Sequence, residues 1–467
     1  MKSTIYVLPA IGASLVAGCA GPLAQRWDDP VYRSLQQRYT EYDQQSVDVE
    51  KNEPRALSFG LDSLQVLHVD DAIRLAIDHS PRLRSAGYHV DAASGRVLQA
   101  GLYPNPSINF EAEALGSDEG SAGETAYVFE QEIVLGNKLN RARDVADSDR
   151  LAAREEFVAE EFAVAARVSR AYFAGVAAHQ RLVNREELAS LASQLFEAAS
   201  AKVEAGSATV PDQLRAQVVY EQAQMELDTA RYQEAAARQV LASTIGLDSP
   251  IELTLASPLD DLPILPSRDE ILEATLQANS RVSIARVAID RARHAHKLAK
   301  AQGVPDLIAS IGPRYSDIDG ETTVDVGLGI EIPLFDRNQG EVQAALAERL
   351  SASAQLKSVQ LELLGEISQA WTIYESAFSA AIRYQDRLLP MAEKTLGLTQ
   401  QAYKSGKADY LRLLDAQQVV IESRIAYINT LEQLHTSAAL LNQLSHTNTP
   451  WRNPRIENQH QAEVNQE

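Results

Sequence analysis

Two periods alternate along the chain. In PSINFEAEALG, Ile108, Phe110, Ala112 and Ala114 alternate with Asn109, Glu111 and Glu113. In TTVDVGLGIEIPLF, Val324, Val326, Leu328, Ile330 and Ile332 alternate with Asp325, Gly327, Gly329 and Glu331. A period of two predicts strands with one apolar and one polar face, and runs of about ten residues suit a tilted strand that crosses a bilayer. The segments GSDEGSAG and SDIDGET between paired strands read as polar turns. Elsewhere the step lengthens to three and four: Leu361, Leu364, Ile367, Trp371, Tyr374, Phe378 and Ala381, then Leu411, Leu414, Gln418, Ile421, Ile425 and Ile428. Such stripes predict long helices with coiled-coil seams. Residues 139–205 and 340–405 form two runs of this kind, and some 65 residues at about 1.5 Å each reach roughly 100 Å.

The pattern occurs twice. Pro106 and Pro305, Leu135 and Leu334, Ser169 and Ser368, and Tyr172 and Trp371 all stand 199 positions apart. Gly206 and Gly406, Leu214 and Leu414, and Ala216-Gln217 and Ala416-Gln417 stand 200 apart. The shared offset makes the chain a tandem repeat. Each half predicts one short amphipathic helix (69–102 and 269–302), a strand hairpin (about 106–135 and 305–334) and a helical hairpin (about 139–246 and 340–446). The expected organisation is therefore a first repeat over 69–246, a Pro-rich linker over 247–268, a second repeat over 269–446 and a tail over 447–467. Gly206 and Gly406 suit a helix end with positive φ, and Pro211 suits the first turn of the following helix.

Composition narrows the function. Sixty-four acidic residues against forty-three basic ones leave a formal charge of −21, which argues against nucleic acid as a partner. Lys2, the apolar run Ile5–Ala17 and the small residues before Cys19 read as a secretory leader over 1–18. Val16-Ala17-Gly18-Cys19 resembles a lipobox, so the single cysteine is expected to carry lipid and to begin an anchored extension over 19–68. Ala20, rather than Asp, after that cysteine points to the outer membrane by resemblance to other bacterial lipoproteins. No later run of about eighteen apolar residues offers a spanning helix, so any crossing must use strands. Four strands alone would leave unpaired edges in lipid, so closure requires several copies. No phosphate-binding glycine loop, HExxH, paired CxxC or GxSxG is present, and neither an enzyme nor a cofactor site is expected beyond the lipid on Cys19.

The junctions FEQEIVLGNKLNRA and IEIPLFDRNQGEV, the repeat, and the tip ending Leu414-Asp415-Ala416-Gln417 together resemble the TolC-like family of outer-membrane efflux proteins over about residues 69–446. Gly136, Lys138 and Arg141 look closest to its heavy-metal, cobalt-zinc-cadmium branch. The resemblance implies a mainly α fold with a small β part. Each chain would give four transmembrane strands and two long helical hairpins, and three chains would close as a trimeric α/β-barrel. It implies a periplasmic adaptor and an inner-membrane pump of the resistance-nodulation-division class as partners, and passive export of heavy-metal cations or other toxic small molecules. The contrasting reading is a periplasmic coiled-coil lipoprotein, a spacer or adaptor without a pore, which would have no use for the four alternating strands.

Individual residues carry two readings each. By family position, Asp415 falls where a ring of acids narrows the tunnel, and Arg412 stands where a further acid would be expected. Asp415 also reads as a helix-start charge favoured by the dipole. For Asp409 and Asp212 capping is the preferred role. Glu111, Glu113, Asp325 and Glu331 would line a barrel lumen. His294 and His296 point about 200° apart on a helix and do not suit a shared metal.

Overall fold

The computed structural model describes residues 66–113, 123–249, 251, 253–256, 259–316, 320–405, 407, 408 and 410–446. Cys19, Gly406, Asp409, the leader and the tail from 447 lie outside the described residues. In chain order the elements are β1 (Val66–Leu67), α1 (Val69–His79), α2 (Pro81–Ala100), β2 (Ser107–Glu113), β3 (Glu124–Ile133), α3 (Lys138–Glu204), α4 (Val210–Ile245) and β4 (Thr254–Leu255). The second half follows with α5 (Arg268–Ala278), α6 (Ser280–Gln302), β5 (Leu307–Ser316), β6 (Glu321–Ile330), α7 (Gln339–Arg383), a π turn (Tyr384–Leu388), α8 (Leu389–Lys404) and α9 (Tyr410–Ser445).

Three features differ from the periodicity reading. The short helix expected over 69–102 is two helices, because Pro81 excludes its predecessor from the α region. Ser80 lies at ψ 119° and its hydroxyl accepts from the Leu83 N–H. The helix expected over 269–302 breaks at Asn279, whose side chain accepts from the Arg281 N–H and donates to the Leu444 carbonyl. The second long helix widens into a π turn just before Pro390, where the ring removes one N–H and crowds the carbonyl four residues back.

The 67-residue α3 far exceeds an ordinary globular helix. Its stability comes from partners: α4 returns along it, and α2, α6 and α9 also pack on it. Much of the seam is alanine, including Ala165, Ala177, Ala189, Ala192, Ala223 and Ala230, all buried. Small side chains let helix backbones approach closely. The main core gathers the middle of α3 (Val168, Tyr172, Val176), the middle of α7 (Leu363, Ile367), the end of α4 (Leu241, Ile245) and the second half of α9 (Leu431, Leu434, Leu441). The segment between the repeats wraps this belt. β1 pairs in parallel with β4, the Tyr172 hydroxyl lies 2.9 Å from the Leu67 carbonyl oxygen and 2.8 Å from that of Ala256, and the Tyr374 hydroxyl donates to the Pro263 carbonyl at 2.7 Å.

The other sheet has four antiparallel strands in the order β2-β3-β5-β6. It is continuous except opposite Gly312-Pro313, where the β3–β5 register skips Tyr127 and Val128. Pro313 has no N–H to donate, which accounts for its place at a break in the ladder. A Cβ on Gly312 would fall 1.8 Å from the Tyr127 carbonyl oxygen, so only glycine allows the strands to pass this closely.

Candidate functional site

Cross-strand partners share a face, so the register assigns every strand residue to one side. One side carries Glu111, Glu113, Glu124, Glu130, Glu132, Arg314, Glu321 and Asp325. All acidic and basic side chains of these four described strands therefore lie on a single face, seven carboxylates and one guanidinium. The opposite face carries Ile108, Phe110, Tyr127, Phe129, Ile311, Val324, Val326, Leu328 and Ile330. In the single chain these apolar side chains are uncovered: Val326 is 72% and Leu328 74% exposed. Glu331 lies one residue beyond the end of β6, and Pro333 follows, which cannot donate to a ladder.

On the charged face Glu113 stands directly opposite Glu124, a pairing that would be repulsive on its own. Arg314 relieves it. From β5 its Nη1 lies 3.1 Å from Glu124 Oε2 and 3.8 Å from Glu113 Oε2, while Nε donates to Asp325 Oδ2 at 2.7 Å. One side chain thus reaches an acid on each of the other three strands. Sequence reading missed it, because the contact depends on the register of strands that are distant in the chain.

Where the sheet meets the helices, the two repeats are locked together. The Lys138 ammonium lies 2.6 Å from Asp306 Oδ2, and the Leu135 N–H donates to Oδ1 at 2.7 Å. Partial burial works to raise the Asp306 carboxyl, but these partners outweigh it and hold the carboxyl below the ordinary aspartate range. Asn137 and Asn338, one at each junction, adopt left-handed φ values of 60° and 61°. The Asn338 amide donates to the Ala299 carbonyl at 2.8 Å.

The hairpin turns at the other end match at the 200-residue offset. The Ser207 N–H donates to the Lys202 carbonyl at 2.8 Å, and the Lys407 N–H to the Ala402 carbonyl at 2.8 Å. Gly206 supplies the positive φ, +70°, that this helix end needs. Asp212 accepts from the Thr209 hydroxyl at 2.6 Å and from its N–H at 3.2 Å, bonds that lower the carboxyl below its ordinary value. Asp212 is thus a helix cap. On α9, Arg412 and Asp415 are exposed, one turn apart, whereas Leu413, Ala416 and Val420 are buried. The Oε1 of Gln417 is buried without a hydrogen-bond partner.

His294 packs on α3, with Nδ1 3.3 Å from Ser148 Oγ and 3.2 Å from the Asp144 carbonyl oxygen. Among the described residues no group of three or more His, Cys, Asp or Glu could hold a metal ion, and no described helix is long and apolar enough to cross a membrane. His435, which sequence reading did not single out, is buried against Phe173 with ring centroids 4.2 Å apart, and its Nε2 donates to the Leu259 carbonyl at 3.1 Å.

The family model described as "Outer membrane efflux protein" matches residues 72–247 and 271–445. The cobalt-zinc-cadmium resistance protein CzcC of Cupriavidus metallidurans is 26% identical over 379 residues, covering 81% of this chain and 90% of that protein. The nickel-cobalt-cadmium resistance protein NccC of Alcaligenes xylosoxydans xylosoxydans is 27% identical over 298 residues, covering 61% and 64%. Among solved structures, the outer membrane protein VceC of Vibrio cholerae superimposes with a TM-score of 0.67 at 20% identity, covering 81% of this chain and 95% of that one. With a four-stranded sheet, two helical hairpins and a family match over both repeats, the chain belongs to the outer membrane efflux protein family and is an outer-membrane efflux channel.

Proposed function

We propose that three copies of this chain close into one passive duct that exports heavy-metal cations, working with a periplasmic adaptor and an inner-membrane pump of the resistance-nodulation-division class. The observation that carries the reading is the sheet with all its charges on one face and exposed apolar side chains on the other. Its outer strands, β2 and β6, have one unpaired edge each in the single chain. Such edges are not tolerated in lipid, and pairing β2 of one copy with β6 of the next would satisfy both. Three copies of the four-stranded sheet would give twelve strands, with Glu111, Glu113 and Asp325 in the lumen and Glu331 at its inner rim. The helices support a ring as well. Val210, Leu214, Val218, Met225 and Tyr232 form an exposed stripe on α4, and Leu388, Met391 and Leu398 form another at the π turn and α8. Contact between two such different faces of neighbouring copies would make a head-to-tail ring.

Metal cations as cargo are supported by the relatives, whose names specify cobalt, zinc, cadmium and nickel resistance, and by the carboxylates that would line such a lumen, which favour cations. The hairpin turns would form the rim that meets the adaptor. Asp415, repeated three times around the axis beside Arg412, is the candidate cation gate, with Gly206 shaping the first turn and Asp212 capping α4; the corresponding expectations for Gly406 and Asp409 fall outside the described residues. Cys19 would carry the lipid that anchors the protein in the outer membrane of a Gram-negative cell. The test is twofold: a heat-modifiable trimer extracted from outer membranes, and a deletion strain grown on zinc, cobalt, cadmium, nickel and copper with drugs and dyes in parallel. A trimer and selective metal sensitivity are expected; a monomer that becomes soluble once its lipid is removed would favour the spacer reading, and sensitivity to drugs alone would remove metals from the cargo.

A further inference from the structure

On the reading of the sheet as a barrel wall, we infer that Arg314 sets the ion selectivity of the outer mouth of the channel. The helices leave the sheet at the Ser107, Ile133, Leu307 and Ile330 ends of the strands. The opposite ends, at Glu113, Glu124, Ser316 and Glu321, therefore face outward in an outer-membrane protein whose helices reach into the periplasm. Arg314 lies two residues from that outer end of β5. It is the only basic residue among the described strand residues, and five carboxylates lie on its face in its own register row or the next row on either side: Glu111 in its row, Glu113, Glu124 and Glu321 one row outward, and Asp325 one row inward. The guanidinium lies within 3.8 Å of three of them.

On the β5–β6 side the wall just below carries few side chains. On the same face β5 presents Gly312 and Ser310, and β6 presents Gly327 and Gly329. A Cβ at Gly312 would collide with the Tyr127 carbonyl oxygen, and one at Gly327 would lie 2.4 Å from Ser310 Oγ. The strand crossing holds Gly312 small, so on the β5–β6 side the charge balance around Arg314 meets passing ions over a stretch of wall with few side chains. Repeated by the ring, one guanidinium per copy offsets part of an acidic collar, and local fields of this kind govern permeation.

Arg314 also staples strands, and the test separates the two roles. Purified channels are placed in planar bilayers under a KCl gradient, and the cation-to-anion permeability ratio is read from the reversal potential. Arg314→Gln should raise the ratio by about twofold or more at low salt, with the difference fading near 1 M, where the screening length is about 3 Å. Arg314→Lys, which keeps the charge but loses the fork, should restore the wild-type ratio. The double variant Glu124→Gln/Asp325→Asn leaves the guanidinium in place with fewer acids and should shift the ratio toward anions, which keeps the inference testable if Arg314→Gln does not assemble. An unchanged ratio in a conducting Arg314→Gln channel, or in the double variant, would overturn it and leave Arg314 as a staple alone. Absence of conductance in the wild-type protein would instead remove the barrel reading beneath it.

Discussion

The sheet and the helical belt are patterned in opposite senses. In the belt, large apolar side chains turn inward: Leu363, Leu431, Leu434 and Leu441 are fully buried. Val326 and Leu328 in the sheet are largely uncovered, and the charges that would normally face water share the other side. Both regions obey the same rule, that apolar surface avoids water, but their surroundings differ. The belt meets water and makes its own core. On the proposed barrel reading, the sheet leaves its apolar side to lipid and holds water on the charged side.

Substitutions can break this contrast. The largest effect is expected in the belt, where Leu431→Ala should cost about 2–5 kcal/mol, read as a fall in the thermal midpoint of the purified protein; a change below about 0.5 kcal/mol would show that the site is not the core it resembles. In the sheet, Val326→Ala should leave the midpoint in detergent within about 0.5 kcal/mol of wild type, as for other exposed positions. Val326→Arg should disfavour insertion by about 2–4 kcal/mol near the bilayer midplane, read as protein lost from the outer-membrane fraction. Normal insertion of that variant would mean that this face does not meet lipid.

A smaller effect is expected from acid. Burial pushes the His435 imidazole below its ordinary value of about 6.5, although the Leu259 carbonyl and the nearby Asp261 and Asp260 act the other way. The unfolded chain therefore takes up the proton first, and the stability from the neutral ring is complete above about pH 6.5 and declines as the pH falls below it. Thermal midpoints measured from pH 7.5 to 5 should drop more steeply for wild type than for His435→Gln, and parallel curves would exclude the ring as the cause. The smallest effect should come from Arg424, which bridges α9 to Glu187 on α3 and to Glu393 on α8, both at 3.1 Å. Arg424→Ala should cost no more than about 1 kcal/mol, since exposed ion pairs contribute little, and a loss of several kcal/mol in the same melt would make it a structural clamp.

Local pattern made much of this legible. Alternation at Ile108–Glu113 and Val324–Ile330 marks strands with a single charged face, and the common offset of Gly206 and Gly406 marks the two turns. The break at Ser80-Pro81 was also signalled, by a capping residue followed by proline, but the apolar stripe running through it suggested one helix. What the chain does not show locally depends on elements distant in sequence. Arg314 is one arginine in a polar turn region until three other strands bring acids to it. His435 looks like a helix residue until the linker carbonyl of Leu259 reaches it. The tandem offset pairs Tyr172 with Trp371, yet the hydroxyl that holds the linker in the second half belongs to Tyr374, almost one turn further on. Repeats preserve the architecture more closely than they preserve which side chain performs a given role.

The difference between the two regions has meaning only if the sheet closes around water within a membrane. The most direct measurement is the single-channel conductance of the purified wild-type protein in a planar bilayer. A trimeric, cation-preferring pore with discrete conductance steps is expected. Trimers that insert without conducting, or protein that never leaves the aqueous phase, would contradict it.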